Sequence, residues 1–216
     1  MSIENIRNVR CPYCKEDFEA KFWTVVRGDV DLELKDMILR GDFNSLLCPH
    51  CSKIFFYEDN FIYLDPKNQL LVFVMPSYEK EKKEIIEKLE SDYELLKENL
   101  NSKTDLNFEP WYLFGTAELK DLLERDKDIG EETEVIEEIC REKNIKYVVA
   151  DKNAARRLNI PFSIPYKKTP HRYDIIDTVR MLLEENPALI RLKNLVDLLE
   201  EDEEGIEFID EDKTSQ

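Results

Sequence analysis

The sequence predicts an α+β protein in which a small metal-centred sheet is followed by acidic helices. Three observations carry this. Two Cys-Pro-x-Cys quartets, Cys11-Pro12-Tyr13-Cys14 and Cys48-Pro49-His50-Cys51, stand 33 residues apart. After the first quartet the apolar residues recur every second position, the period of a half-buried strand, and short apolar runs follow the second. From Tyr78 onward the composition turns abruptly to Glu and Lys, with apolar residues at helical spacing.

Taken in order, the first quartet leads into Phe18, Ala20, Phe22, Thr24 and Val26, an alternating strand. Asp29-Val30-Asp31, then Leu32, Leu34, Met37 and Ile38, ending at Arg40-Gly41, describe a short helix with an acidic N-cap and a glycine stop. The second quartet precedes Ile54–Tyr57 and Phe61–Leu64. Asp65-Pro66-Lys67-Asn68 has the residues of a type I turn, and Leu70–Met75 returns as a strand that Pro76 stops. Between Tyr78 and Leu100, Ile85, Ile86, Leu89, Tyr93, Leu96 and Leu100 share one helix face. Asn101–Asn107 reads as a polar loop and Trp111–Phe114 as a short buried segment. Thr116 opens a helix carrying Leu119, Leu122 and Leu123. After Asp128-Ile129-Gly130 a separate helix carries Val135, Ile136, Ile139 and Cys140. Residues 145–150 form a strand. Ile175–Glu185 and Ala188–Glu200 are helices broken by Asn186-Pro187, and the acidic end from Glu200 to Gln216 is frayed. The expected division is a zinc-ribbon-like domain at 1–78, its small antiparallel sheet interrupted by an inserted helix. A helical continuation at 79–145 and a mostly helical region with an acidic tail at 146–216 follow.

C-x-x-C lets both sulfurs of one turn face one ion, and two such turns complete a tetrahedral all-thiolate site. Cys11, Cys14, Cys48 and Cys51 are therefore the expected ligands of one structural zinc ion. No run of about 18 apolar residues and no hydrophobic leader is present, so the expected setting is cytoplasmic, without a membrane. Paired cysteines in that compartment hold metal or do redox chemistry more often than they form structural disulfides. The net charge is −17, of which residues 79–144 carry −10. Four thiolates on a divalent cation add about −2. Nucleic-acid binding depends on cations, so the chain as a whole argues against that partner.

The N-terminal residues resemble the CpXC-domain family, proteins with paired Cys-Pro-x-Cys motifs. Beyond the four cysteines, Leu32–Phe43 is similar to that family's helix and glycine turn, and Phe61–Asp65 with Leu70–Pro76 to its closing hairpin. Glu118–Leu122 and Val135–Glu137 are similar to its following helical segment. The likeness covers roughly residues 1–145. It implies a zinc-binding fold and no established activity. Such turns often carry Gly after the second Cys, where φ is positive; Lys15 and Ser52 stand there instead, at an expected cost of about 1 kcal/mol each.

Rival chemistries are weighed on the same residues. Cys-Pro-Tyr-Cys also occurs in glutaredoxins, but a redox pair opens a helix, and here a strand follows. A catalytic zinc needs an open position, which would require His50 as ligand or base; His50 reads as a surface residue between two ligands, and His171 as an exposed loop residue. Cys140 lies on an apolar helix face and reads as packing. Glu131, Glu132, Glu134, Glu137, Glu138 and Glu142 read as a solvated face. Residues 145–173 hold Lys146, Lys152, Arg156, Arg157, Lys167, Lys168 and Arg172 against Asp151, interleaved with Tyr147, Phe162, Tyr166 and Tyr173. That pattern suits single-stranded nucleic acid, or more simply docks on acidic helices or an acidic partner. The expectation is a non-enzymatic protein-interaction or regulatory module. A nucleic-acid-associated ribbon is the alternative, and thiol–disulfide or zinc enzymes rank behind both.

Overall fold

In a computed structural model the protein is described over residues 1–100, 109–201 and 209–214, with side chains for all of these except 96–100 and 209–214. The chain forms two compact units, Met1–Leu123 and Glu124–Gln216. The expected polar loop at 101–107 lies outside the described residues, as do 202–208 and 215–216 of the acidic end; residues 209–214, expected to be frayed, form a strand instead.

The first unit is built from β1 (Ile3–Arg10), β2 (Asp17–Arg27), α1 (Leu32–Arg40), β3 (Ser45–Leu47), β4 (Ile54–Phe56), β5 (Phe61–Asp65), β6 (Leu70–Met75), α2 (Lys82–Leu100), β7 (Trp111–Phe114) and the first turns of α3 (Thr116–Lys143). Its main sheet has five strands in the order β1-β2-β5-β6-β7. The sequence predicts a small antiparallel sheet; the sheet is mixed instead. β1 with β2 and β5 with β6 are antiparallel, whereas β2 with β5 and β6 with β7 are parallel. The connections explain this. The chain passes through α1 and the β3–β4 hairpin between β2 and β5, and through α2 between β6 and β7, and long crossovers return it in its original direction.

β1 was not legible in the sequence. Residues 3–8 are exposed on both faces and only Val9 is buried, so no apolar alternation marks the strand. β2, in contrast, buries Ala20, Phe22 and Val26 as its period requires. One face of the sheet presents Val26, Tyr63, Val72 and Val74 to Leu34 and Ile38 of α1 and to Leu119, Leu122 and Leu123 of α3. Leu71 packs with Tyr93 of α2, with Phe73 against them.

The ends of α1 divide the sequence reading in two. Gly41 takes φ 79°, and its N–H and that of Asp42 bond the carbonyls of Ile38 and Met37, a Schellman-like stop. Asp31 precedes the helix but caps none of its amides. Its carboxylate accepts from the Ser2 backbone N–H at 2.6 Å and from the Ser2 hydroxyl, fastening the start of β1. At the β5–β6 turn the Asp65 carboxylate accepts from the Asn68 N–H at 3.1 Å, as the Asp-Pro signal foretells.

α3 corrects a predicted break. Asp128-Ile129-Gly130 does not separate two helices; a single helix of 28 residues runs through it. Gly130 has helical geometry with open space where a Cβ would sit, and the adjacent Ile129 is fully buried. A glycine inside a helix costs about 1 kcal/mol, which the burial of Ile129 and Ile136 on the same helix outweighs.

The second unit has β8 (Lys146–Ala150), α4 (Lys152–Leu158), β9 (Ser163–Tyr166), α5 (Arg172–Glu185), α6 (Ile190–Glu201) and β10 (Ile209–Thr214). Its three strands are ordered β10-β8-β9 and are antiparallel. Ile136 and Cys140 of α3, Val148, Ile160, Ile164, Ile175, Val179, Leu182, Leu192 and Leu195 form its core. α4 and β9 lie within the stretch that the sequence marks only by its charge. Among the described residues no helix is long and apolar enough to cross a membrane.

Candidate metal centre

The two quartets are the tips of two hairpins. Cys11–Cys14 turns β1 into β2, and Cys48–Cys51 turns β3 into β4. The turns repeat each other bond for bond. Cys11 N–H donates to the Glu16 carbonyl at 2.9 Å and Cys48 N–H to the Lys53 carbonyl at 3.0 Å. Lys15 N–H returns to the Cys11 carbonyl at 3.0 Å, and Ser52 N–H to the Cys48 carbonyl at 2.9 Å. Both turn-closing residues have positive φ, 66° at Lys15 and 55° at Ser52, in the position foreseen from the sequence.

The sulfurs converge. Cys11 Sγ lies 3.7 Å from Cys51 Sγ, and Cys14 Sγ lies 3.6 Å from Cys48 Sγ. All four sulfurs lie within 4.8 Å of one another. A tetrahedron with metal–sulfur bonds of about 2.3 Å has edges of about 3.8 Å. The spacing fits that figure and is far beyond the roughly 2.05 Å of a disulfide; all five cysteines are free thiols. The four cysteines thus form a cluster that can hold a metal ion.

The matching family model, described as CpXC protein, spans residues 9–139. The chain belongs to the CpXC family. No curated protein and no solved structure matches it.

The CpXC cluster is walled by its own small core. Cys11 and Cys48 are fully buried among Val9, Ala20, Phe22 and Phe55, while Cys14 and Cys51 are half-buried. Phe18 meets Phe55 edge-on with ring centres 6.2 Å apart, joining the first hairpin to the second. The Lys53 ammonium sits 4.7 Å from the centre of the Tyr13 ring and links the two tips.

Electrostatics within the cluster is uneven. Burial pushes the Cys11 thiol up, but backbone N–H groups of Cys14 and Tyr13 and the Cys14 and Cys48 thiols outweigh it and bring the pKa down to about 6. At Cys14 a backbone hydrogen bond from Glu16 favours the thiolate, yet burial and the other three thiols push the pKa up to about 12. Cys51 is also raised: burial and the Cys48 and Cys11 thiols outweigh a backbone bond from Lys53. Without a cation the cluster therefore keeps protons on Cys14 and Cys51 at neutral pH, and a bound divalent ion displaces them.

Residues outside the cluster behave variously. His50 is exposed between two of the cysteines and His171 is exposed at the start of α5. Cys140 is fully buried in the second core, and burial raises its thiol to about 11. The basic stretch is split by its folding. Arg156 is fully buried and pairs with Asp126 at 2.7 Å and Asn153 at 3.1 Å, whereas Lys146, Arg157, Lys167 and Lys168 are exposed. Glu132 is bound to Arg191 at 2.8 Å and Glu137 to the Ser163 hydroxyl at 2.6 Å, so these two members of the expected solvated acidic face are structural. Sequence reasoning passed over Asp126, Asn153 and Arg191; a carboxylate and an arginine 30 residues apart give no local signal of pairing.

Proposed function

We propose that Cys11, Cys14, Cys48 and Cys51 hold one zinc ion in a structural site, and that the protein works as a protein-interaction or regulatory module rather than an enzyme, in the cytoplasm. The observation that carries this reading is the near-tetrahedral set of four sulfurs on two equivalent hairpin tips. Four thiolates in that geometry suit zinc, or iron as a close competitor. They leave no open position for substrate or water, which is how structural zinc differs from catalytic zinc. Thiol–disulfide chemistry is less well supported, because each quartet lies between two strands instead of opening a helix whose dipole would activate its first thiol.

Zinc here would unite two hairpins that share only a small core, so metal binding and folding of the first unit are coupled. The nucleic-acid reading has lost support, since Arg156, one of its cations, is buried in an ion pair.

Elemental analysis of protein purified without added metal, with thiols titrated before and after chelation, tests the proposal. About one zinc per chain and four thiols released on chelation are expected. Iron, with its visible absorption, would replace zinc in the account. No metal and two reducible disulfides would overturn it in favour of redox chemistry. In Cys48→Ser the expected result is lost zinc and a destabilised first unit; unchanged zinc content and unfolding curve would contradict a structural role.

A further inference from the structure

We infer that β1 is a self-pairing edge, joining β1 of a second copy of this chain across a two-fold axis into one continuous ten-stranded sheet. The inference is independent of the metal reading. β1 is the outermost strand of its sheet, with β2 on one side and no strand on the other among the described residues. It is eight residues long, contains no proline, and exposes residues 3–8 on both faces. Ile3 and Ile6 are 56% and 57% exposed. Soluble proteins normally shorten, bulge, charge or cover such an edge. Here one register shift at Ile3/Glu4 is followed by regular pairing from Glu4 to Arg10, which leaves that stretch straight and uncovered among the described residues.

The hydrogen-bond parity of this edge is fixed by two observations. Cys11 N–H bonds inward to Glu16, continuing the β1–β2 register, so odd-numbered residues direct their backbone groups toward β2. The Ile6 N–H is taken by the side-chain oxygen of the adjacent Asn5 at 2.8 Å, so even-numbered residues direct theirs off the sheet. An antiparallel pair of identical strands must match outward groups with outward groups. Only registers that set even residues opposite even residues are therefore allowed.

Four such registers pair five or more residues of the strand, and the side chains choose among them; centring on Asn8 sets Ile6 opposite Arg10. Centring on Asn5 sets Ile6 opposite Glu4 and Ile3 opposite Arg7. Centring on Arg7 sets two arginines opposite each other. Centring on Ile6 sets Ile6 opposite the second copy's Ile6 once, on the axis, and sets Ile3 opposite its Val9 and Glu4 diagonal to its Arg10, each of these two contacts made twice. Apolar pairs and opposite charges on one face stabilise antiparallel strands, and like charges opposite one another destabilise them. Glu4 is paired with Lys21 and Arg7 with Asp59 within each copy, so this edge carries no negative excess of its own to add to the charge by which the chain as a whole repels its copies. An isologous contact of this kind closes on itself and stops at a dimer.

The test is the mass of the metal-loaded protein by light scattering over a concentration series, beside Ile6→Lys. The wild type is expected to rise toward twice the 25.7 kDa of one chain. Ile6→Lys places two ammonium groups opposite each other and is expected to weaken the dimer roughly tenfold or more. The variant is accepted only if its far-UV circular dichroism and metal content equal the wild type's. Amide exchange on the wild type needs no variant: the N–H groups of Glu4 and Asn8 should become protected as concentration rises, while that of Ile6 trades its Asn5 partner for the second copy's Ile6 carbonyl. A wild type that stays at one chain's mass at millimolar concentration overturns the inference, as would follow if the edge instead takes a strand from another protein. A dimer that Ile6→Lys leaves equally tight, or one without protection of these amides, overturns it in favour of a different surface.

Discussion

Lys15 and Ser52 occupy equivalent positions in the two Cys-Pro-x-Cys turns, each left-handed, each returning its N–H to the carbonyl of the first cysteine of its quartet. Non-glycine residues in that conformation cost about 1–2 kcal/mol, partly offset by the smaller entropy they lose on folding. Ser52→Gly is therefore expected to stabilise the metal-loaded protein by up to about 1 kcal/mol in urea unfolding. Lys15→Gly should gain less, because the Lys15 ammonium also donates to the Pro12 carbonyl at 2.8 Å. Loss of stability in Ser52→Gly would show that its hydroxyl contributes something the turn geometry does not reveal.

Metal loading should release at least two protons near neutral pH, one each from Cys14 and Cys51. Both thiols are raised above their ordinary value, so in the metal-free protein both carry protons across the neutral range. Binding removes those protons, so acid favours the metal-free form. Each pH unit of acidification should weaken binding about a hundredfold, tenfold per proton. Cys11, at about 6, is already a thiolate above that pH and adds a further proton only below it. Proton release read with a pH indicator during zinc titration checks the count; release of fewer than two would mean the sulfurs are ionised before the metal arrives.

Arg156 anchors the second unit. Its side chain is fully buried, bonded to Asp126 and Asn153 and lying over the Phe162 ring. Removing the Asp126 carboxylate deprives a fully buried charge of a partner at 2.7 Å, so Asp126→Ala should destabilise by up to about 3–5 kcal/mol. Replacing both together, Asp126→Leu with Arg156→Met, leaves neither charge of this pair behind and should cost clearly less than Asp126→Ala alone. Urea unfolding followed by circular dichroism makes the comparison, and equal losses would mean that packing, rather than charge, dominates here.

The four-cysteine cluster was legible because its chemistry is local: two Cys-Pro-x-Cys turns declare themselves by spacing, and Gly41 by its place after an apolar stripe. β2 and β5 were legible because one face of each is buried, and β6 because its continuous apolar run is buried on both faces. β1 was not, because an edge strand wet on both faces has no period to show. The mixed order of the sheet was hidden for a different reason: strand neighbours are set by crossovers through α1 and α2, and no residue in β2 records that β5 will lie beside it. Gly130 misled because propensity weighs one residue, while Ile129 and Ile136 on the same helix are held by burial. Arg156 looked like part of a basic surface until α4 and β9 folded around it.

Gly28 is required by a contact, not by its backbone angle. It ends β2's pairing with β5 through an N–H bond to the Leu64 carbonyl at 3.0 Å. A Cβ there would fall 1.9 Å from the Tyr63 hydroxyl oxygen and 2.3 Å from the ring carbon bearing it. Tyr63 is fully buried among Val26, Leu34 and Phe61, so its ring has little room to withdraw. Gly28→Ala is therefore expected to cost about 1–3 kcal/mol by overpacking. The cysteines belong to a separate cluster around Phe22 and Phe55, so metal content should stay at its wild-type value. A double-mutant cycle isolates the cause: in a Tyr63→Ala background the ring is gone, and adding Gly28→Ala should cost almost nothing. If the penalty persists there, the glycine is needed for its backbone, and the tyrosine is not the reason.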